Sequence, residues 1–144
     1  MKETLQPGLS FEFQFQVPEN KTVPHLLPES PEFQEMPRVL ASGFMVGLIE
    51  WACIRAVNPY LDWPREQTVG IGFQLTHSAA TPPGLTITVK GKLQKVEGRK
   101  LTFAIIADDG VDQISEGFHE RFIIEAAKFK AKAEAKAHTL PLAK

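Results

Sequence analysis

The chain has 144 residues, 43% of them hydrophobic, and a formal net charge of -1. That length fits one domain with a real core, here 1–144, and the near-zero charge provides no field to recruit nucleic acid. One cysteine, Cys53, excludes an internal disulfide.

Cys53 lies in an apolar run and reads as a small buried hydrophobe, in keeping with a reducing, cytoplasmic setting. The opening MKETLQPGLS lacks the apolar stretch of a signal peptide. The longest apolar run, 44–49, is far too short to span a bilayer, so no membrane partner is expected.

Ser10–Val17 alternates. Phe11, Phe13, Phe15 and Val17 share one face, and Glu12, Gln14 and Gln16 the other, which predicts a half-buried strand. Val17–Pro37 holds five prolines, a density that no long regular element survives. It also carries Val23, Leu26, Leu27, Phe33 and Met36, much apolar surface for a loop, and reads as a lid. From Val39 to Val57 the pattern is helical and apolar round most of its circumference, so this helix should be covered on several sides. Asn58-Pro59 ends it.

Four strand-like segments follow. Thr68–His77 places Val69, Ile71, Phe73, Leu75 and His77 in one phase. Gly84–Gly98 places Leu85, Ile87, Val89 and Leu93 on one face. Arg99–Asp108 is apolar on both faces near its centre, and Val111–Ile124 alternates again. The stretches between them (ATPPG, VEGR and DDGVD) have turn chemistry. The tail, 127–144, is rich in Ala and Lys and predicts an exposed, fraying helix. One strand, a long apolar helix and then four antiparallel strands make an α+β chain in which a sheet of about five strands must cover one helix. This is the element order of the hot-dog fold, a sheet wrapped round a central helix. A single sheet leaves part of such a helix bare, which favours a homodimer.

Chemistry has few candidates. Glu50 sits inside the apolar helix, where bare burial of a carboxylate costs several kcal/mol. It reads as a structural ion pair with Arg55 or Arg121, as part of a helix face that meets solvent, or as a general base or nucleophile in a water-poor cleft. His77 shares the phase of core residues and reads as a core histidine or as a proton relay with Glu50. Ser42, near the helix start, reads as a cap or as a hydroxyl acting on a substrate carbonyl. The free N–H groups there could hold an oxyanion. Ser42 and Glu50 are eight positions apart, about 12 Å along a helix, so either Ser42 lies off the helix or a site using both mixes residues from two subunits; the bare helix favours the second. Gly70 and Gly72 mark a bulge or a close backbone approach to a ligand. Arg121 reads as a cross-strand ion pair, or as a contact to Glu50 or to a phosphate. His25, His77, His119 and His138 lack metal-ligand spacing, so no metal is expected. There is no Walker or dinucleotide glycine motif.

Five stretches carry a resemblance over nearly the whole chain: KTVPHLLPESPEF, ASGFMVGLIEWACIRAVNPYL, THSAATPPGLTITV, VEGRKL and DDGVDQISEGFHER. The chain resembles the fluoroacetyl-CoA thioesterase family of the hot-dog superfamily. The resemblance implies a homodimeric enzyme that hydrolyses an acyl-CoA thioester without a metal, coenzyme A being part of the substrate and no cofactor being needed. It puts the family's catalytic threonine on Ser42, its glutamate on Glu50 and its histidine on His77. It puts an acyl-binding glycine on Gly70 and the hydrophobic lid on Val23, Leu26, Phe33 and Met36. Arg121 joins these as a substrate-binding candidate. Two positions depart from the family pattern: Ser42 loses the methyl that restricts χ1, and Met36 replaces a phenylalanine of the lid with a flexible chain. Arg99, Lys100, Lys128, Lys130 and Lys132 are candidates for the phosphates of CoA. Competing expectations are a broad short-acyl or aryl-acyl-CoA thioesterase, an enoyl-CoA hydratase of the same fold, and a non-catalytic acyl-CoA binder.

Overall fold

The computed structural model describes residues 1–140. Five antiparallel strands form one sheet in the order β1-β3-β4-β5-β2. They are β1 (Ser10–Gln16), β2 (Glu66–Leu75), β3 (Thr86–Glu97), β4 (Lys100–Asp108) and β5 (Gln113–Glu125). Each matches a strand-like segment of the sequence, because period two puts one set of side chains on the core and the other outside. The inward set of β3 and β4 (Ile87, Val89, Leu93, Leu101, Phe103 and Ile105) is fully buried.

These side chains pack against the long helix α3 (Ser42–Val57), through Met45, Leu48, Ile49, Ala52, Cys53 and Val57. Burying each larger chain contributes on the order of 2 kcal/mol. Cys53 is wholly enclosed, and burial pushes its thiol up to about 12, so it acts as packing. The helix starts three residues later than the apolar pattern predicts. Leu40 is held outside it by a bridge to Thr22 and by its N–H donating to the Thr81 carbonyl. Pro59 sits in the single 3₁₀ turn Asn58–Tyr60 that terminates the helix.

One stripe of α3 is not covered by the sheet. Ser42, Gly43, Gly47, Trp51 and Arg55 are exposed and Glu50 is partly so. Trp51 closes the β1 end of this stripe, its ring 4.8 Å from that of Phe13. The proline-rich segment forms only single turns, Glu19–Lys21, α1 (Val23–Leu26) and α2 (Pro31–Gln34). Gln34 ties the turns together by donating to the Pro24 carbonyl at 2.8 Å. The tail helix α4 spans Ala126–Ala137 with no buried residue. The last four positions of the expected tail, 141–144, lie outside the described residues. Among the described residues, no helix is long and apolar enough to cross a membrane.

β2 departs from the expected single phase. The register against β5 shifts between Gly70 and Gly72, leaving Ile71 as the extra residue of a bulge. Val69 therefore pairs with Phe122 on the outer face, whereas Phe73 pairs with His119 on the inner one. His77 lies two residues past the end of β2, in an irregular segment.

Candidate active site

Ser42 is the first residue of α3. Its neighbour Ala41 occupies the N-cap with extended backbone and supplies no side-chain cap. The first bond of the helix runs from the Met45 N–H to the Ala41 carbonyl, so the amides of Ser42, Gly43 and Phe44 have no partner within the helix. They carry the positive end of the helix dipole.

Ser42 Oγ lies 2.7 Å from His77 Nδ1. His77 is brought there by the segment after β2, which Ser78 anchors by donating its N–H to the Ile114 carbonyl at 2.8 Å. Burial lowers the His77 pKa below its ordinary value, so the ring is neutral and can take a proton at neutral pH. Its Nε2 is enclosed and meets no hydrogen-bond partner among the described residues. Val23, Leu40, Ser42 and His77 line a cleft of about 300 Å³. Leu26 of α1 packs onto Gly43, where an added Cβ would come within 2.9 Å of a leucine methyl. A glycine in the first turn thus lets α1 rest on the helix start. Phe33 is half-buried in α2, and Met36 just beyond it is 50% exposed. Neither lines the cleft.

Glu50 lies two turns further along α3 and belongs to a second cluster. Its Oε2 accepts from Arg121 Nη1 at 2.9 Å. Arg121 is 2% exposed; its Nε donates to Thr68 Oγ1 and its Nη2 to the Thr68 carbonyl, both at 2.8 Å. A buried guanidinium requires this degree of pairing. Gly70 flanks the carboxylate, and a Cβ there would stand 2.8 Å from Glu50 Oε2. The close approach at Gly70 is therefore to the protein's own carboxylate.

The ion-pair reading of Glu50 holds, with Arg121 rather than Arg55 as partner. Arg55 instead lies over the Phe13 ring, 5.5 Å from its centroid. Within one chain the two clusters are separate: Ser42 pairs with His77, and Glu50 with Arg121. Sequence reasoning passed over His119 and Thr68. His119 shares the inward phase of Arg121 two residues on, and that alternation is the signal that marks it. Among the described residues, no group of three or more His, Cys, Asp or Glu is placed to hold a metal ion. Of the candidate phosphate contacts, Arg99, Lys128 and Lys132 share a groove with Phe122 and Phe129. Lys100 is instead engaged by Glu120 at 2.9 Å.

Comparison with known proteins matches this arrangement to one family. The family model FlK, described as a fluoroacetyl-CoA-specific thioesterase, matches residues 17–127. The fluoroacetyl-CoA thioesterase of Streptantibioticus cattleyicolor is 54% identical over 136 residues, covering 94% of this chain and 97% of that protein. A threonine-to-serine variant of the fluoroacetyl-CoA thioesterase FlK, solved with acetyl-CoA, superposes with a TM-score of 0.89 at 55% identity. It covers 92% of this chain and 98% of its own. A hot-dog-like protein of Thermanaerovibrio acidaminovorans shares the fold alone, with a TM-score of 0.74 at 16% identity over 90% of this chain and 91% of its own. With the family match spanning most of the chain and a relative this similar along nearly all of it, the chain belongs to the fluoroacetyl-CoA-specific thioesterase family.

Proposed function

We propose that this protein is an acyl-CoA thioesterase that hydrolyses short acyl-CoA thioesters, fluoroacetyl-CoA among them, and that it works as a homodimer without a metal or other cofactor. The observation that carries the reading is the 2.7 Å contact of Ser42 Oγ with His77 Nδ1 on an uncapped helix start. A hydroxyl, a neutral imidazole and free backbone amides are the parts that acyl transfer needs. His77 takes the Ser42 proton as Oγ attacks the thioester carbonyl, and the first-turn amides of α3 hold the oxyanion. The CoA thiolate is a good leaving group and departs without strong acid help. The lid of Val23, Leu26, Phe33 and Met36 closes over the acyl group and excludes bulk water.

Glu50 completes the site from a second copy. About 12 Å of helix separates it from Ser42 in its own chain, and both face the uncovered stripe of α3. β2 is an edge strand with Ile71 and Phe73 about half exposed, a surface fit for a second copy. In this role Glu50 deprotonates the water that releases the acyl group. The partly exposed carboxylate, held by a buried guanidinium, also favours a second route in which Glu50 itself attacks and forms an anhydride. Arg121 has five N–H donors, and four are committed to Thr68, Glu50 and His119. The remaining hydrogen is on Nη2, on the Thr68 side of the group, and Arg121 is 2% exposed, so Arg121 serves the site by holding Glu50 rather than by touching substrate.

A single turnover in oxygen-18 water separates the routes. Label in Glu50 marks direct attack, whereas label only in the acid, with an acyl group trapped on Ser42, marks the serine route. Selectivity is read from kcat/KM for fluoroacetyl-CoA against acetyl-CoA. Ser42 and the exposed Met36 give a looser pocket than threonine and phenylalanine would, and apolar pockets separate small groups by only about 10–200-fold. Met36→Phe should raise the ratio. No thiol release from either substrate would end the thioesterase reading.

A further inference from the structure

His119 is buried at 0% exposure on β5, one strand away from the reacting groups. Its ring stacks on Phe73 with centroids 4.5 Å apart and planes 22° apart, and it faces Phe103 at 6.5 Å. Nδ1 lies 2.9 Å from the Gly72 carbonyl oxygen, and Nε2 lies 3.1 Å from Arg121 Nη1. A carbonyl only accepts and a guanidinium only donates. Nδ1 must therefore carry the proton and Nε2 must offer its lone pair, so both contacts together fix one neutral tautomer.

Arg121 Nη1 has two hydrogens. One goes to Glu50 Oε2 at 2.9 Å and the other to His119 Nε2. The guanidinium is planar, so the acceptor on one Nη1 hydrogen sets the direction of the other. The Thr68 contacts anchor Nε and Nη2 on the far edge of the group. His119 is thus the contact that fixes the Nη1 edge, the edge that holds Glu50.

We propose that His119 is a positioning residue for hydrolysis: it relays the position of the β2 bulge, through Gly72, to Arg121 and so fixes where the Glu50 carboxylate points. The inference rests on the proposed role of Glu50 in thioester hydrolysis. His119 touches no substrate and moves no proton in the reaction.

The test uses the full chain and two variants. His119→Phe keeps the stacked ring but removes both polar contacts. His119→Gln restores an amide oxygen near the Nε2 position, where it can accept from Arg121. Displacing a reacting group by about 1 Å costs up to about a hundredfold in rate, so His119→Phe should lower kcat by tenfold to a hundredfold while KM moves far less. His119→Gln should recover most of that loss. Exchange of the Arg121 Nη1 hydrogens, followed by nitrogen-15 NMR, should be slow in wild type and in His119→Gln and fast in His119→Phe. If His119→Phe does not fold, His119→Asn takes its place; it keeps a donor for Gly72 and lacks the acceptor. Wild-type kcat in the variant that lacks the acceptor overturns the proposal. Equal losses in both variants with Arg121 still protected do the same, since the effect is then one of packing. If wild type releases no thiol, the thioesterase reading fails by itself, and the exchange of Arg121 still decides whether His119 holds it.

Discussion

Ser42 and His77 are useful to each other only while the imidazole is neutral. Burial depresses the His77 pKa, so the neutral base persists to a lower pH than for a free histidine, whose value is about 6.5. As pH falls through this lowered value the ring gains a proton and can no longer accept one. The expected pH profile of kcat/KM is therefore an acid limb with its midpoint below 6.5 and a plateau from there through neutrality. A midpoint above the free-histidine value would rule out His77 as the base. Residue types and phase made Ser42, Glu50 and His77 legible as candidates. Arg121 was legible as a partner of Glu50, but the pairing of Ser42 with His77 was not, because a hydrogen bond between residues 35 apart in sequence depends on how two loops are anchored.

At the scale of elements, the bulge in β2 makes room for the carboxylate of α3. The alternation of Thr68–His77 reads as one phase in sequence, yet the extra residue Ile71 reverses it, and no spacing rule signals this beyond the paired glycines. Gly70 is the sensitive position. A Cβ there meets Glu50 Oε2 at 2.8 Å and Phe73 Cζ at 3.0 Å. The carboxylate is the end of a flexible chain and can give way, so the fold should tolerate Gly70→Ala at a cost of about 1–3 kcal/mol. Turnover should suffer more, with kcat reduced by tenfold or more as Glu50 is displaced. Thermal melting and steady-state kinetics on one preparation separate the two effects. Unchanged kcat would show that the position of Glu50 is not critical. By contrast, the strands, the central helix and the irregular proline-rich segment were all legible, because each rests on local periodicity or on backbone restriction.

At the scale of the whole molecule, the β2 edge and the bare stripe of α3 are the surfaces that the proposed second copy would use. Ile71 projects from the bulge at 50% exposure, and a charge there should oppose association. Ile71→Asp is expected to shift the protein from dimer to monomer in size-exclusion chromatography and to lower activity with it. A dimer that persists undisturbed would move the interface elsewhere. The sequence showed that the helix needed more cover than one sheet provides. It could not show which stripe stays bare, since that depends on the side from which the sheet and the proline-rich segment cover the helix.

The eight-residue spacing of Ser42 and Glu50 on one helix has a genetic consequence. If each catalytic centre draws these two groups from different chains, Ser42→Ala and Glu50→Gln are defects of different halves and can complement. Co-refolding equal amounts of the two inactive proteins places both lesions in one centre of each mixed pair and leaves the other intact. Random assortment then restores roughly a quarter of wild-type activity, whereas centres built within single chains would stay silent in every combination.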